Sequence, residues 1–209
     1  MNRAVEQFES NLESARQLGV IYSALCDNVT EAVRLDEILR AEIVLAVSAL
    51  DCYVHDVVRI GMTKTLALTS GEPNAYLNFG VSMQVVKRLL RASSADDKAM
   101  LFDQEVRRLH GFKTFQTADS ISQAFGLLGI AHLWDKIGDG LGILPSDVKV
   151  QLNLLVGRRN AIAHEGDIDP SSGIGTKYPI DLPTVQQSAD FLDSLVHQMQ
   201  AVVLAEMTH

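Results

Sequence analysis

Ile43-Val44-Leu45-Ala46-Val47-Ser48-Ala49-Leu50-Asp51-Cys52-Tyr53-Val54 is apolar at every position except Ser48 and Asp51. This run lies inside a longer stretch, Leu35 to Leu68, that contains no proline. A helix that is apolar nearly all round is normally the buried middle of a bundle. The run therefore predicts an all-α protein organised around one long central helix, with Gly61 as a point where it weakens or kinks. It does not predict a membrane span. The longest apolar candidate, Ile43 to Val58, is interrupted by Ser48, Asp51, His55 and Asp56, and falls short of the roughly 18 residues a span needs.

The flanking sequence reads the same way. Val5, Phe8, Leu12, Ala15, Leu18 and Tyr22 recur at three- and four-residue steps, which predicts a first helix from Asn2 to Leu25. Asp27-Asn28 reads as a break, with Thr30-Glu31 able to start the next segment. Ser70 to Asn74 reads as a loop, and Val81 to Arg91 as a short helix. Ser93-Ser94-Ala95-Asp96 offers a stop and a new N-cap before a helix over 97–112. Ala118 to Trp134 reads as one helix, and Gly138, Gly140 and Gly142 as a turn. Pro145 opens the next helix, with Ser146 as its cap, and Gly166 stops it just after His164. A long loop over 167–183, either a connection or a flap, precedes a last helix from Thr184 to Met207. Five prolines, no hairpin signal and no repeat leave a single domain over 1–209, a helical bundle with a four-helix core and additional short helices.

The bulk numbers restrict function. Eighteen Lys and Arg against 26 Asp and Glu give a net charge of −8 and a pI near 5.2. That argues against broad polyanion binding, though a local basic cleft remains compatible with it. Mean hydropathy is +0.10, and 209 residues suffice to bury a sizeable core. The beginning of the chain, Met1-Asn2-Arg3-Ala4-Val5-Glu6, has no apolar signal region, so a cytoplasmic, non-membrane protein is expected. Cys26 and Cys52 sit in apolar helical contexts and read as buried free thiols. No Cys-x-x-Cys pair exists to build a zinc ribbon.

One segment carries chemistry: Arg158-Arg159-Asn160-Ala161-Ile162-Ala163-His164-Glu165. On a helix the five steps from Arg159 to His164 turn about 500°, leaving the two side chains about 140° apart. Asn160 and His164, four apart, share a face. A histidine titrates near neutrality and can move the proton of a 2′-hydroxyl or of a leaving oxygen. An arginine is a permanent forked cation suited to a phosphate or phosphorane. An asparagine can hold the imidazole or a phosphate oxygen. None of this needs a metal or cofactor. Spacing alone is a weak signal, since two arginines and a histidine at a helix end are ordinary solvated groups.

The segment Arg159 to His164 resembles the Arg-polar-x-x-x-His signature of the HEPN superfamily. Leu39-Arg40-Ala41-Glu42 and Ala49 to Asp56 resemble the long second helix of its RiboL-PSP-HEPN branch. The similarity covers two blocks, about 35–59 and 148–170. It implies an α-helical bundle that dimerises, with a metal-independent endoribonuclease site where two motif helices meet. Carried over, Arg159 stabilises phosphate charge, His164 is the acid/base and Asn160 the positioning residue. Arg158 and Glu165, which flank them, are candidates for binding substrate or supporting the site. The dimer would form through the Ser146–His164 helix, so two copies supply one cleft. RNA is the implied substrate, in a toxin or antiviral-defence setting with an antitoxin or defence-system protein as partner. A non-catalytic HEPN module that binds RNA, a nucleotide or a partner protein is the second expectation. A plain helical oligomerisation domain is the third.

Two further groups have both a structural and a functional reading. Asp51 and His55, four apart on the central helix, are either a self-satisfying buried polar pair or a support for the site. His110 with Arg107, Arg108 and Lys113 is either a helix end stabilised by cations or an RNA contact. His132 beside Trp134 is expected to pack in the core rather than stack on a base.

Overall fold

Hydrophobic periodicity puts the core on helices, and the computed structural model, which describes residues 1–26, 28, 34–68 and 70–207, contains nine of them among those residues. Its only β-type pairing there is an isolated antiparallel bridge, Ile168 to Lys177. The helices are α1 (Asn2–Cys26), α2 (Asp36–Thr65), α3 (Asn74–Leu77), α4 (Met83–Arg91), α5 (Ala95–His110), α6 (Ala118–Gly126), α7 (Leu133–Leu141), α8 (Pro145–Glu165) and α9 (Leu182–Glu206). The all-α class read from the sequence is therefore observed. The expected break at Asp27-Asn28 and start at Thr30-Glu31 fall mostly outside the described residues.

α2 is the axis. Leu39, Ile43, Ala46, Val47, Leu50, Tyr53, Val54, Val57, Val58 and Met62 are buried, and α2 packs against α1, α5, α6, α8 and α9. One strip of the helix still reaches solvent through Ala41, Leu45 and Cys52. The expectation of buried thiols is thus wrong for both cysteines: Cys26 and Cys52 are exposed and unbridged. α1 buries Ala4, Phe8, Leu12, Ala15 and Gly19 against α2 and α9. α9 buries Val185, Phe191, Leu192, Leu195, Met199, Val202 and Val203, the face expected from its spacing. At the centre Phe8 and Tyr53 meet edge to face with centroids 6.1 Å apart. The Tyr53 hydroxyl donates to Gln200 Oε1 at 3.1 Å, so its polar end is satisfied in the core.

Two expectations in the middle of the chain are corrected together. The single helix over 118–134 stops at Gly126, because Gly129 (φ +77°) and His132 (φ +54°) occupy left-handed backbone. His132 is exposed there, N-terminal to α7, and not in the core. The expected glycine turn is instead helical. Gly138 and Gly140 lie within α7, where side chains would run into Ile143 O and Gln198, and only Gly142 (φ +67°) ends the helix. These glycines are close-approach positions, letting α7 settle on α8 and α9. Trp134 is buried as expected, donating to Ser122 Oγ at 2.7 Å. Asn74 to Leu77 forms a short helix that begins at the last residue of the expected 70–74 loop. Gly61 is buried without interrupting α2; Leu128 covers it so closely that a Cβ there would lie 2.6 Å from Leu128 Cδ2.

Candidate functional site

The motif lies at the C-terminal end of α8. Pro145 occupies the first turn, where its fixed φ suits helix entry. Ser146 does not cap: the N-cap residue is Leu144, and the Ser146 hydroxyl donates to Asp147 Oδ1 at 3.2 Å. Val148, Leu152, Leu155 and Val156 are the buried residues of α8, set on α2 and α7. Gly166 (φ +67°) ends the helix as expected, and Asp167 follows with φ +60°. Asp is one of the few side chains that enter left-handed backbone at moderate cost.

That turn drives the Asp167 carboxylate into the protein, where the side chain is fully buried. Its Oδ2 accepts from Arg40 Nε at 2.7 Å and from Arg158 Nη2 at 2.8 Å. Arg40 Nη2 also donates to Tyr178 O at 2.8 Å, and Arg158 Nη2 to Pro179 O at 3.1 Å. The Arg158 guanidinium lies 5.3 Å from the centroid of the Tyr178 ring. Glu37 extends the cluster by accepting from Lys177 at 2.7 Å, and that hydrogen bond holds the Glu37 carboxyl below its ordinary range. Two arginines from helices far apart in sequence thus clamp the end of α8, the 167–181 loop and the start of α2. Arg40 and Asp167 carry no separate signal in the sequence, apart from an acidic residue directly after a helix-stop glycine.

The clamp divides the motif. Arg158 is committed to Asp167. Arg159 is half-buried, with Nη1 donating to Asn160 Oδ1 at 3.0 Å, and its buried Nε finds no partner. Among the described residues Arg159 makes no ion pair, and His164 no hydrogen bond. Asn160, His164 and Glu165 are exposed. Helical geometry separates Arg159 from His164, but the Arg159–Asn160 bond brings the guanidinium toward the face that Asn160 shares with His164. Asn160 and His164 make no hydrogen bond with each other.

The same face continues back along α8 as Val150, Leu154, Gly157, Ala161 and His164, at alternating steps of four and three. Leu154 is 70% exposed and Val150 56%. A Cβ built on Gly157 would touch nothing within 4 Å. This is the spacing of a helix seam, with small residues at its centre and the histidine at its end. Between α8 and α9 lies a cavity of about 310 Å³, lined by Leu154, Leu155, Arg158, Ile180 and Phe191 among others.

Asp51 and His55 are elsewhere. Asp51 Oδ1 accepts from Phe115 N at 2.6 Å and Oδ2 from Gln116 Nε2 at 3.2 Å. His55 Nε2 lies 3.2 Å from Lys113 O, and its ring rests on Phe115 with centroids 4.6 Å apart. The pair fixes the segment between α5 and α6. At 1.5 Å per residue, Asp51 is about 16 Å along α2 from Arg40, which marks the motif end. His110 is buried against Phe79 and Phe115 with neither ring nitrogen partnered, so it forms no surface patch with Arg107 and Arg108. Burial lowers its pKa to about 4. Among the described residues, no group of three or more His, Cys, Asp or Glu is placed to hold a metal ion. Among the described residues no helix is long and apolar enough to cross a membrane. No family model, curated protein or solved structure matches the chain.

Proposed function

We propose that the chain is a metal-independent endoribonuclease of HEPN type, with its active cleft formed by two copies of α8. The observation that carries this reading is that Arg159, Asn160 and His164 stay available at a helix end where the adjacent Arg158 is locked. Arg158 is consumed by the clamp, while among the described residues Arg159 has no anionic partner and an unpaired Nε. A guanidinium left without a carboxylate in a protein of net charge −8 is a natural seat for a phosphate.

A single chain offers one histidine and one arginine, but strand cleavage needs a proton taken and a proton given. Pairing two α8 seams supplies both. The His164 of one copy removes the 2′-hydroxyl proton, and the 2′-oxygen attacks the adjacent phosphorus. Arg159 from both copies balances the charge on the non-bridging oxygens. The second copy's His164 protonates the departing 5′-oxygen, leaving a 2′,3′-cyclic phosphate and a 5′-hydroxyl end. The seam of Val150, Leu154, Gly157 and Ala161 supports this pairing by bringing the two backbones close. RNA is the proposed substrate. A toxin or antiviral-defence role, with an antitoxin as partner, rests on the resemblance alone.

Incubation with RNA in EDTA tests the reading. The wild-type chain should cut, and Arg159→Ala and His164→Ala should each remove cutting while leaving the fold intact. Wild-type cleavage no greater than that of the two variants refutes catalysis. RNA retained by the protein but left uncut, in the same experiment, favours the non-catalytic module.

A further inference from the structure

Away from the motif, α1, α2 and α9 enclose a second cavity of about 310 Å³. Gly19, Ser23 and Arg16 line it from α1, Glu42 from α2, and Gln186 and Asp190 from α9. Its chemistry is unusual at one point. Glu42 is only 1% exposed, and among the described residues its Oε2 has no hydrogen-bond partner. A buried carboxyl without a partner is costly, and folds rarely keep one that serves no purpose.

The nearby cation relieves it only in part. Arg16 Nη2 is drawn outward to Asp190 Oδ1 at 2.7 Å and to Asp193 Oδ2 at 3.3 Å. Three carboxyl groups therefore surround one arginine, and the cavity has an excess of negative charge. Gly19 makes the room: a Cβ at that position would lie 2.8 Å from Glu42 Oε2 and 3.1 Å from Leu182 Cδ1. The Ser23 hydroxyl donates to Gly19 O at 2.9 Å, which leaves its oxygen free to accept. The lining thus presents acceptors, from Glu42, Ser23, Gln186 and Asp190, in a space at the small end of ligand cavities.

We propose that this cavity binds a small primary amine as its ammonium ion, with the ammonium donating to Glu42 and the carbon chain lying along Gly19 and Val20. An ammonium fits because it brings up to three N–H donors and one positive charge in a compact head. The Glu42 carboxyl, which burial raises to about 6, is mostly ionised at neutral pH and becomes fully so on the bound cation. The site does not depend on the ribonuclease reading, since none of its residues belongs to α8.

Calorimetric titration with ethylamine and putrescine at pH 7.5, at fixed ionic strength, tests the proposal. Thermal unfolding in the same buffers accompanies it, and tetramethylammonium serves as a cation lacking N–H donors. Saturable binding of the amines with a rise in Tm is expected, with tetramethylammonium at least tenfold weaker. Glu42→Gln keeps the side-chain shape and should weaken amine binding at least tenfold. Ser23→Leu, at an exposed position on the cavity lining, should block it without touching the core and serves if the Glu42 variant does not fold. Absence of saturation in the wild type overturns the proposal. So does equal amine binding by a folded Glu42→Gln or Ser23→Leu variant, or binding of tetramethylammonium as tight as that of ethylamine.

Discussion

Replacing Asp167 by alanine should be the most damaging single change near the motif. Its carboxylate is fully buried and accepts from two guanidiniums, one of them Arg40, whose side chain is 5% exposed. Removing one partner of a buried pair leaves an uncompensated charge, at a cost of about 3–5 kcal/mol. Alanine in the left-handed conformation at φ +60° adds roughly 1 kcal/mol. Arg40 retains the Tyr178 carbonyl and Glu37 at 3.4 Å, which places the expected loss near the low end, about 4 kcal/mol. For a chain of this size that lowers Tm by about 8–16 °C. Urea unfolding followed by circular dichroism gives the free energy directly. Arg40→Met in the Asp167→Ala background should recover part of the loss, because the stranded cation goes with it. A loss below about 1 kcal/mol, or a double variant as unstable as the two single losses added together, would show that the cluster is solvated and the clamp unimportant.

Other consequences are testable separately. Gly157→Glu should leave the monomer fold intact, since a Cβ there meets nothing. It should nevertheless convert a dimer into a particle near 22.9 kDa by light scattering; an unchanged oligomer would move the interface off α8. Gly61→Ala should lose about 1–3 kcal/mol by overpacking Leu128, outweighing the gain of up to 1 kcal/mol in helix propensity. A more stable variant in thermal melts would contradict this. His110 and Glu42 should shape the pH dependence with opposite signs. His110 has a folded pKa of about 4 against 6.5 unfolded, so its contribution is complete above 6.5 and is lost as pH falls toward 4, by about 3 kcal/mol. Glu42 has a folded pKa of about 6 against 4.5, so its contribution is complete below 4.5 and about 2 kcal/mol is lost as pH rises through 6. His110→Phe should flatten the acid limb of the stability profile and Glu42→Gln the neutral limb; profiles parallel to the wild type would refute both assignments.

The long helices were legible because each carries its own repeating apolar face. Phe8, Leu12 and Ala15 recur in α1, and Leu192, Leu195 and Met199 in α9, with Gly166 marking the stop of α8. Positions where glycine has two uses were not legible. Gly138 and Gly140 read as a turn but serve close packing, whereas Gly129, inside the stretch read as one helix, helps end one. The motif's residue types and its place at a helix end could be read from local sequence. Its division could not: Arg158 is occupied by Asp167, whose other guanidinium partner, Arg40, lies 127 positions away. A partner so distant leaves no trace in local spacing. His110 misled for a related reason, since a histidine among arginines reads as surface until Phe79 and Phe115 are seen to enclose it.

The clamp at the end of α8 also sets how that helix responds to its surroundings. Its first half is held by apolar contacts through Val148, Leu152, Leu155 and Val156, and its last turns by charge. Hydrophobic stabilisation levels off as temperature rises, whereas the cost of burying ions keeps falling. The two ends of one helix are therefore anchored by forces that respond differently to heating. The Arg159–His164 segment sits at the ionic end, so its amides should keep their protection from hydrogen exchange relative to the helix start as temperature rises, and lose it sooner in the Asp167→Ala variant.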